Sequence, residues 1–246
     1  CAASFPENTK DSRVETLNSA WNLLIGMDAD LLMIVGLSLK VSGLAVLIAF
    51  VLGAPIGAAL AIWSFPLRQA IIVVFNSLMA LPPVVVGLSV YLLLSRSGPL
   101  GSWGILFTPT AMVIAQTLLI FPIIVALTRE AVKPVYREYR GLLVSLNAGP
   151  FLVLRTVLWD ARFGVVTALL AGYGRAMAEV GAVLIVGGNI SGLTRVMTTT
   201  IALETSKGNL ELAMALGMVL VALALVMNAL IYGISRIGKK YQQVRE

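Results

Sequence analysis

The sequence predicts an all-α membrane protein with about five transmembrane helices, on three observations. Of the 246 residues, 59% are hydrophobic and only 12% are charged, against roughly 45–50% and about 25% in soluble domains. Four stretches carry no charged residue: Val41–Leu67, Gln69–Ser95, Ser97–Thr128 and Leu212–Ser235. Each is long enough to cross a hydrocarbon core about 30 Å thick, which takes roughly 20 helical residues. A fifth stretch, Phe163–Gly188, is interrupted only by Arg175 and Glu179. The runs are continuous, so they lack both the alternation of a barrel strand over about 10 residues and the polar face of a soluble amphipathic helix.

Basic residues collect on the cytoplasmic side of membrane proteins, so their placement orients the spans. The net charge is +6. The segment after the third span holds Arg129, Lys133, Arg137, Arg140, Arg155 and Arg162, the tail holds Arg236, Lys239, Lys240 and Arg245, and Arg68 follows the first span. In a five-span chain these share one side, while Lys10, Arg13, Arg96, Arg195 and Lys207 share the other. The N-terminus is therefore expected outside and the C-terminus in the cytoplasm.

Residues 1–30 form an N-terminal extension without the basic start and apolar core of a secretory signal. Val14, Leu17, Trp21, Leu24 and Ile25 recur at helical spacing, which fits a helix lying in the interface or a frayed soluble one. A chain opening at Cys1 reads as a fragment or a processed product. With one cysteine and no histidine, zinc triads, disulfide frameworks and histidine-based catalysis are set aside. No phosphate loop of the GxxxxGK[ST] type and no HExxH occurs, so any ATP hydrolysis belongs to another chain and this one is not an enzyme.

The connectors follow in order. Pro66 within Ser64–Arg68 marks a tight inner turn, and Gly98-Pro99 with Gly101 marks a longer outer one. Lys40 is expected to snorkel to the outer interface. Within the second span, Pro82 and Pro83 remove backbone donors, so the helix should kink or break there. Such a break is either a plain kink or backbone lining a pathway, where freed polar groups find partners. The segment Arg129–Arg162 is the longest soluble one. Its middle, Gly141–Leu158, is amphipathic and divided at Ala148-Gly149-Pro150-Phe151, which predicts two short helices. These either dock a partner or lie on the membrane.

Arg175 and Glu179 fall near mid-bilayer, where ionisable residues are costly and mark function. Their i, i+4 spacing lets them pair on one helix, which leaves a structural pair, an interhelical latch and a substrate contact all open. After Gly187-Gly188-Asn189, the polar run through Thr198, Thr199 and Thr200 to Lys207-Gly208 is too polar to span. It reads as a re-entrant or outer-gate helix whose hydroxyls either hold an anion briefly or cap the helix, with another helix resuming near Leu210.

At two places the residues resemble a known family. Arg140–Trp159, centred on Leu146-Asn147-Ala148-Gly149-Pro150-Phe151, resembles the cytoplasmic coupling segment of the permease subunits of binding-protein-dependent ABC importers. Gly141-Leu142-Leu143 stands where that pattern has EAA, Asn147 where it has glycine, and Trp159 where a proline follows Leu158. More specifically, Arg175–Val183 through Gly187-Gly188-Asn189-Ile190 is similar to the oxyanion permeases for molybdate, sulfate and tungstate. Thr194–Thr205 and Leu81–Leu88 are similar to the tungstate branch.

The resemblance implies a type I ABC importer permease fold in the plasma (inner) membrane of a prokaryote. It also implies a homodimer of this chain, two ATPase subunits inside and an extracytoplasmic oxyanion-binding protein outside. No cofactor would be held by this chain; ATP would sit on the partner. The permease domain would cover 31–236, with a coupling segment at about 129–162 and a basic tail at 237–246. Gly141, Leu142, Leu143, Leu146, Asn147, Ala148, Gly149, Pro150, Phe151 and Arg155 would contact the ATPase. Pro82, Pro83, Arg175, Glu179, Gly181, Asn189, Thr198 and Thr199 would belong to the gate or path. A dianion entering against an inside-negative potential of 100 mV costs about 4.6 kcal/mol, at roughly 2.3 kcal/mol per charge, which favours a driven mechanism over a pore. A molybdate or sulfate permease of the same class, and an ion-coupled carrier or channel without an ATPase, are the alternatives.

Overall fold

The structure, a computed structural model, describes residues 29–243, with side chains as far as Arg236. The interfacial helix expected at Val14–Ile25 and the basic side chains of the tail lie outside these residues. The described chain is helical throughout: α1 (Ala29–Ile62), α2 (Arg68–Met79), α3 (Pro83–Leu94), α4 (Pro109–Ser145), α5 (Pro150–Asp160), α6 (Arg162–Met177), α7 (Gly181–Gly187), α8 (Met197–Lys207) and α9 (Leu210–Gln243), with a 3₁₀ turn at Gly101–Trp103. Among the described residues three helices, α1, α4 and the Leu210–Arg236 part of α9, are long and apolar enough to cross a membrane alone, and the total rises to five if each of the bent pairs α2–α3 and α6–α7 is one span.

Several boundaries differ from the sequence expectation. The first span starts at Ala29, twelve residues before Val41, because α1 runs through the polar Ser38 and Lys40 without a break. Lys40 therefore sits inside a helix, about 33 Å of which separates it from the Ile62 end. The third span starts at Pro109 rather than Ser97: Thr108 is extended and its Oγ1 accepts from the Ala111 amide, and proline opens the first turn. Residues 97–108 fold instead into turns closed by Leu100 N–H to the Leu93 carbonyl at 3.0 Å.

Helix α4 also does not stop at Thr128. It continues to Ser145 across Pro122 and Pro134, so the first of the two short inner helices expected before Pro150 is the far end of a 37-residue helix. The expected soluble segment Arg129–Arg162 is thus largely an extension of the span. Leu146–Gly149 forms the break, with Asn147 in the left-handed region at φ 46° and the amides of Leu146, Asn147 and Ala148 closing on Leu142, Val144 and Leu143 carbonyls.

The core is built around α1 against α4. Small residues on α1 let the two backbones approach, as spanning helices require where no hydrophobic force drives association. A Cβ on Gly57 would lie 2.5 Å from the Val125 carbonyl oxygen, and one on Gly53 would lie 3.1 Å from Ile124. Ala45, Val46, Ala49, Ile120, Ile124 and Ala176 fill the middle. Toward the α1–α2 turn Ala58 and Ala61 of α1, Val132 and Val135 of α4, Val153 and Val157 of α5 and Val165 of α6 form a further cluster. Helix α9 is the exception. Only 11% of its apolar window is buried within the chain, leaving Val221, Leu225, Val226 and Leu230 facing outward.

Candidate transport site

The two broken spans meet. The α2–α3 pair bends by 98° across Ala80–Pro82, and the α6–α7 pair by 60° across Ala178–Val180. Pro83 opens α3 at its first position, where its missing N–H costs nothing. Beyond the breaks α3 and α7 lie side by side. A Cβ on Gly87 would be 2.6 Å from Ala182 Cα, and one on Gly181 would be 2.8 Å from Val84 Cγ2. Both glycines are thus set by a close approach of two half-helices.

The 60° break corrects the picture of Arg175 and Glu179 on one continuous helix. Arg175 lies in the last turn of α6, which ends at Met177, and Glu179 lies in the break itself. The pair still forms, with Arg175 Nη1 donating to Glu179 Oε2 at 2.8 Å. Glu179 Oε1 accepts the Ala182 amide at 3.2 Å, one of the unsatisfied donors at the start of α7. The Glu179 side chain is 4% exposed and the Arg175 side chain 41%.

Helix α8 packs its first turn onto this break. Thr198 Oγ1 donates to the Glu179 carbonyl at 2.7 Å, and the Met197 amide donates to Ser38 Oγ at 2.8 Å. Thr199 Oγ1 accepts the Val196 amide at 3.3 Å and donates to Asn189 Oδ1 at 3.0 Å, while Asn189 Nδ2 donates to the Thr199 carbonyl at 3.3 Å. Asn189, at φ 51°, therefore staples the turn after α7 to α8. The hydroxyls of Thr198, Thr199 and Thr200 are all buried and bonded within the chain: Thr199 accepts the Val196 amide as a cap, whereas Thr198 donates to the Glu179 carbonyl and Thr200 to the Val196 carbonyl.

A small cavity of about 10 Å³ lies where α1, α4, α6 and α8 meet, lined among others by Ser38, Ser42, Gln116, Glu179 and Thr198. Gln116 donates to the Ala176 carbonyl at 3.2 Å, while its Oε1 is buried and unpartnered. Gln116, Ser38 and Ser42 were not singled out from sequence. The available signal was a polar side chain in the middle of an apolar run, and an i, i+4 pair of serines on one helix face.

Toward the end of α8, Glu204 accepts from Lys207 Nζ at 2.9 Å and from Asn209 Nδ2 at 3.1 Å. The Lys207 hydrogen bond leads in holding its carboxyl below the usual carboxylate range.

Around the α4–α5 break, Leu142, Val144, Leu146, Phe151, Leu152 and Trp159 are all more than half exposed. Gly141, Asn147, Gly149, Pro150 and Arg155 are exposed as well, and Leu143 and Ala148 are half-buried. Helix α5 turns Val153 and Val157 inward, leaving Phe151, Leu152, Arg155 and Trp159 as a ridge. Arg162 lies over the Trp159 and Phe163 rings at 5.5 and 4.7 Å.

No family model matches the sequence. The chain is 45% identical over 205 residues to the probable anion ABC transporter permease protein of Haloferax volcanii, covering 81% of this chain and 88% of that one. It belongs to the anion ABC transporter permeases. It is also 40% identical over 220 residues to the tungstate uptake system permease protein TupB of Peptoclostridium acidaminophilum, covering 89% and 96%. With the molybdenum transport system permease protein ModB of Azotobacter vinelandii it shares 31% identity over 173 residues, covering 67% and 76%. As an ABC permease it is a multi-pass membrane subunit that transports rather than catalyses.

Proposed function

We propose that this ABC permease carries tungstate into the cell. The observation that carries this is the 40% identity to TupB across 96% of that protein's length, supported by 36% identity over 174 residues to a second TupB, from Campylobacter jejuni. Its length and five-span architecture suit a subunit that forms half of a pathway and pairs with a second copy of itself. Two ATPase subunits supply the energy, and an extracytoplasmic binding protein supplies the affinity. The orientation is N-terminus outside, C-terminus inside.

The ridge Phe151–Arg155 with Leu142 and Leu146 is the docking element for the ATPase. A rigid apolar ridge on a short helix, backed by Val153 and Val157 in the core, transmits a push at α5 into α1, α4 and α6. The gate consists of the paired breaks: Pro82-Pro83 on one span and Arg175–Gly181 on the other, with the Asn189, Thr198 and Thr199 staple behind them. Half-helices meeting at Gly87 and Gly181 can slide with few side chains to repack.

Deleting the gene and supplying tungstate and molybdate together at trace levels tests the reading, with cellular tungsten and molybdenum measured by mass spectrometry. Loss of tungsten alone is expected. Loss of molybdenum alone moves the substrate to the molybdate branch, and unchanged levels of both reject import of either anion by this chain.

A further inference from the structure

The two halves of the Arg175–Glu179 pair have unlike surroundings. Glu179 is enclosed, held by Arg175 Nη1 at 2.8 Å and by the Ala182 amide at 3.2 Å, with its side chain 4% exposed. The Arg175 side chain is 41% exposed, and its one hydrogen bond among the described residues uses Nη1 alone. Along α6, Arg175 lies about 20 Å from Arg162 at the inner end, which is more than half-way through a hydrocarbon core about 30 Å thick. Facing lipid, an open guanidinium at that depth would cost about 2.5–3.5 kcal/mol or more, which argues for a water-filled or protein-lined space beside it.

We propose that Arg175 is a transient contact for the passing tetrahedral dianion, and that Glu179 is held beside it to weaken the grip. This rests on the reading of the chain as an oxyanion permease. A guanidinium fork suits oxyanion oxygens, and one N–H already spent on Glu179 leaves the others for the anion. Unopposed in a low-dielectric setting, that cation would hold a dianion strongly and release it slowly. A carboxylate at 2.8 Å cancels much of its field. The Ala182 amide keeps the carboxylate in place when the anion arrives, so passage needs no exchange of partners. Gln116, bonded to the Ala176 carbonyl at 3.2 Å, fixes the backbone next to the arginine.

The test uses the complete importer, permease with its ATPase and binding protein, in proteoliposomes. Wild-type tungstate uptake is measured first, and its absence would remove the oxyanion reading rather than this inference. The double variant Arg175→Gln/Glu179→Gln removes both charges without leaving one buried alone. It is expected to co-purify with the ATPase and to lose uptake at least roughly tenfold, whereas Arg175→Lys keeps the charge and part of the rate. Glu179→Gln alone is expected to slow uptake and to create a permease that retains the anion. In the permease–ATPase complex without binding protein, tungstate should raise the melting temperature of Glu179→Gln by about 2 °C or more, with no such rise in wild type or the double variant. A purely structural ion pair would lower the melting temperature of Glu179→Gln with no response to tungstate. Wild-type uptake by the double variant, or no tungstate-dependent shift in Glu179→Gln, overturns the proposal. Should the double variant fail to assemble, the melting comparison of Glu179→Gln with wild type decides it.

Discussion

Gly57 shows what single positions contribute to this bundle. In lipid, apolar side chains gain little by leaving their surroundings, so helices associate through close packing and the small residues that permit it. A Cβ at Gly57 would meet the Val125 carbonyl at 2.5 Å, Thr128 Cβ at 3.0 Å and the Arg129 amide nitrogen at 3.2 Å. Two of those three are backbone atoms, which cannot rotate away. Gly36, on the same helix, has nothing within 4 Å. Gly57→Val should therefore destabilise the protein by about 1–3 kcal/mol through overpacking, while Gly36→Val stays within about 0.5 kcal/mol. Thermal melts of the two variants in one detergent check this, and equal losses would mean that α1 and α4 are not in contact at Gly57.

At the scale of elements, α5 is the piece whose surface asks for a partner. Its inward residues Val153 and Val157 belong to the inner core cluster, so its register is fixed from behind. Phe151 at 76% and Trp159 at 72% exposure stand on the other face, with Arg155 between them. Arg155→Glu reverses a charge on that ridge without touching the core, and should weaken retention of the ATPase while the permease melts normally. Leu154→Pro breaks the helix interior at a cost of about 3 kcal/mol and should abolish retention. Affinity purification of the complex reads both, and full retention in both variants would remove α5 from the interface.

The sequence shows these elements unevenly, for physical reasons. Continuous apolar runs reveal that spans exist, because hydrocarbon tolerates nothing else. They do not reveal where helices end, since α1 reaches back past Lys40 and α4 runs on past Thr128, each without a stop signal. The break at Pro82-Pro83 is readable because proline removes a donor. The one at Ala178–Val180 is not, because no proline or glycine lies within it; a buried carboxylate accepting the Ala182 amide opens α7 instead. Likewise the Arg175–Glu179 pair is legible from spacing, whereas Gln116 and Ser38 join the site only through contacts from distant helices.

For the whole molecule, the decisive question is whether each bent pair crosses the bilayer. A bend of 98° between α2 and α3 is sharp enough for a re-entrant loop, which would return the chain to its starting side. The charge pattern favours a crossing instead: with Arg68, whose Nε donates to the Leu60 carbonyl at 2.8 Å, on the same side as the basic residues after α4, Arg96 after α3 falls on the opposite side. Two half-helices of 12 residues each are about 18 Å long apiece and at a 98° bend reach about 24 Å end to end, so crossing a core of about 30 Å also draws on the Ala80–Pro82 break and the flanking turns. In a cysteine-free background, Ser64→Cys in the α1–α2 turn and Ser97→Cys after α3 report this directly, as both positions are exposed. A membrane-impermeant maleimide should label Ser97→Cys on intact cells and Ser64→Cys only after permeabilisation. Labelling of both from outside would make α2–α3 re-entrant, change the side on which α4 begins and place the basic end of α4, with α5, outside the reach of any cytoplasmic ATPase.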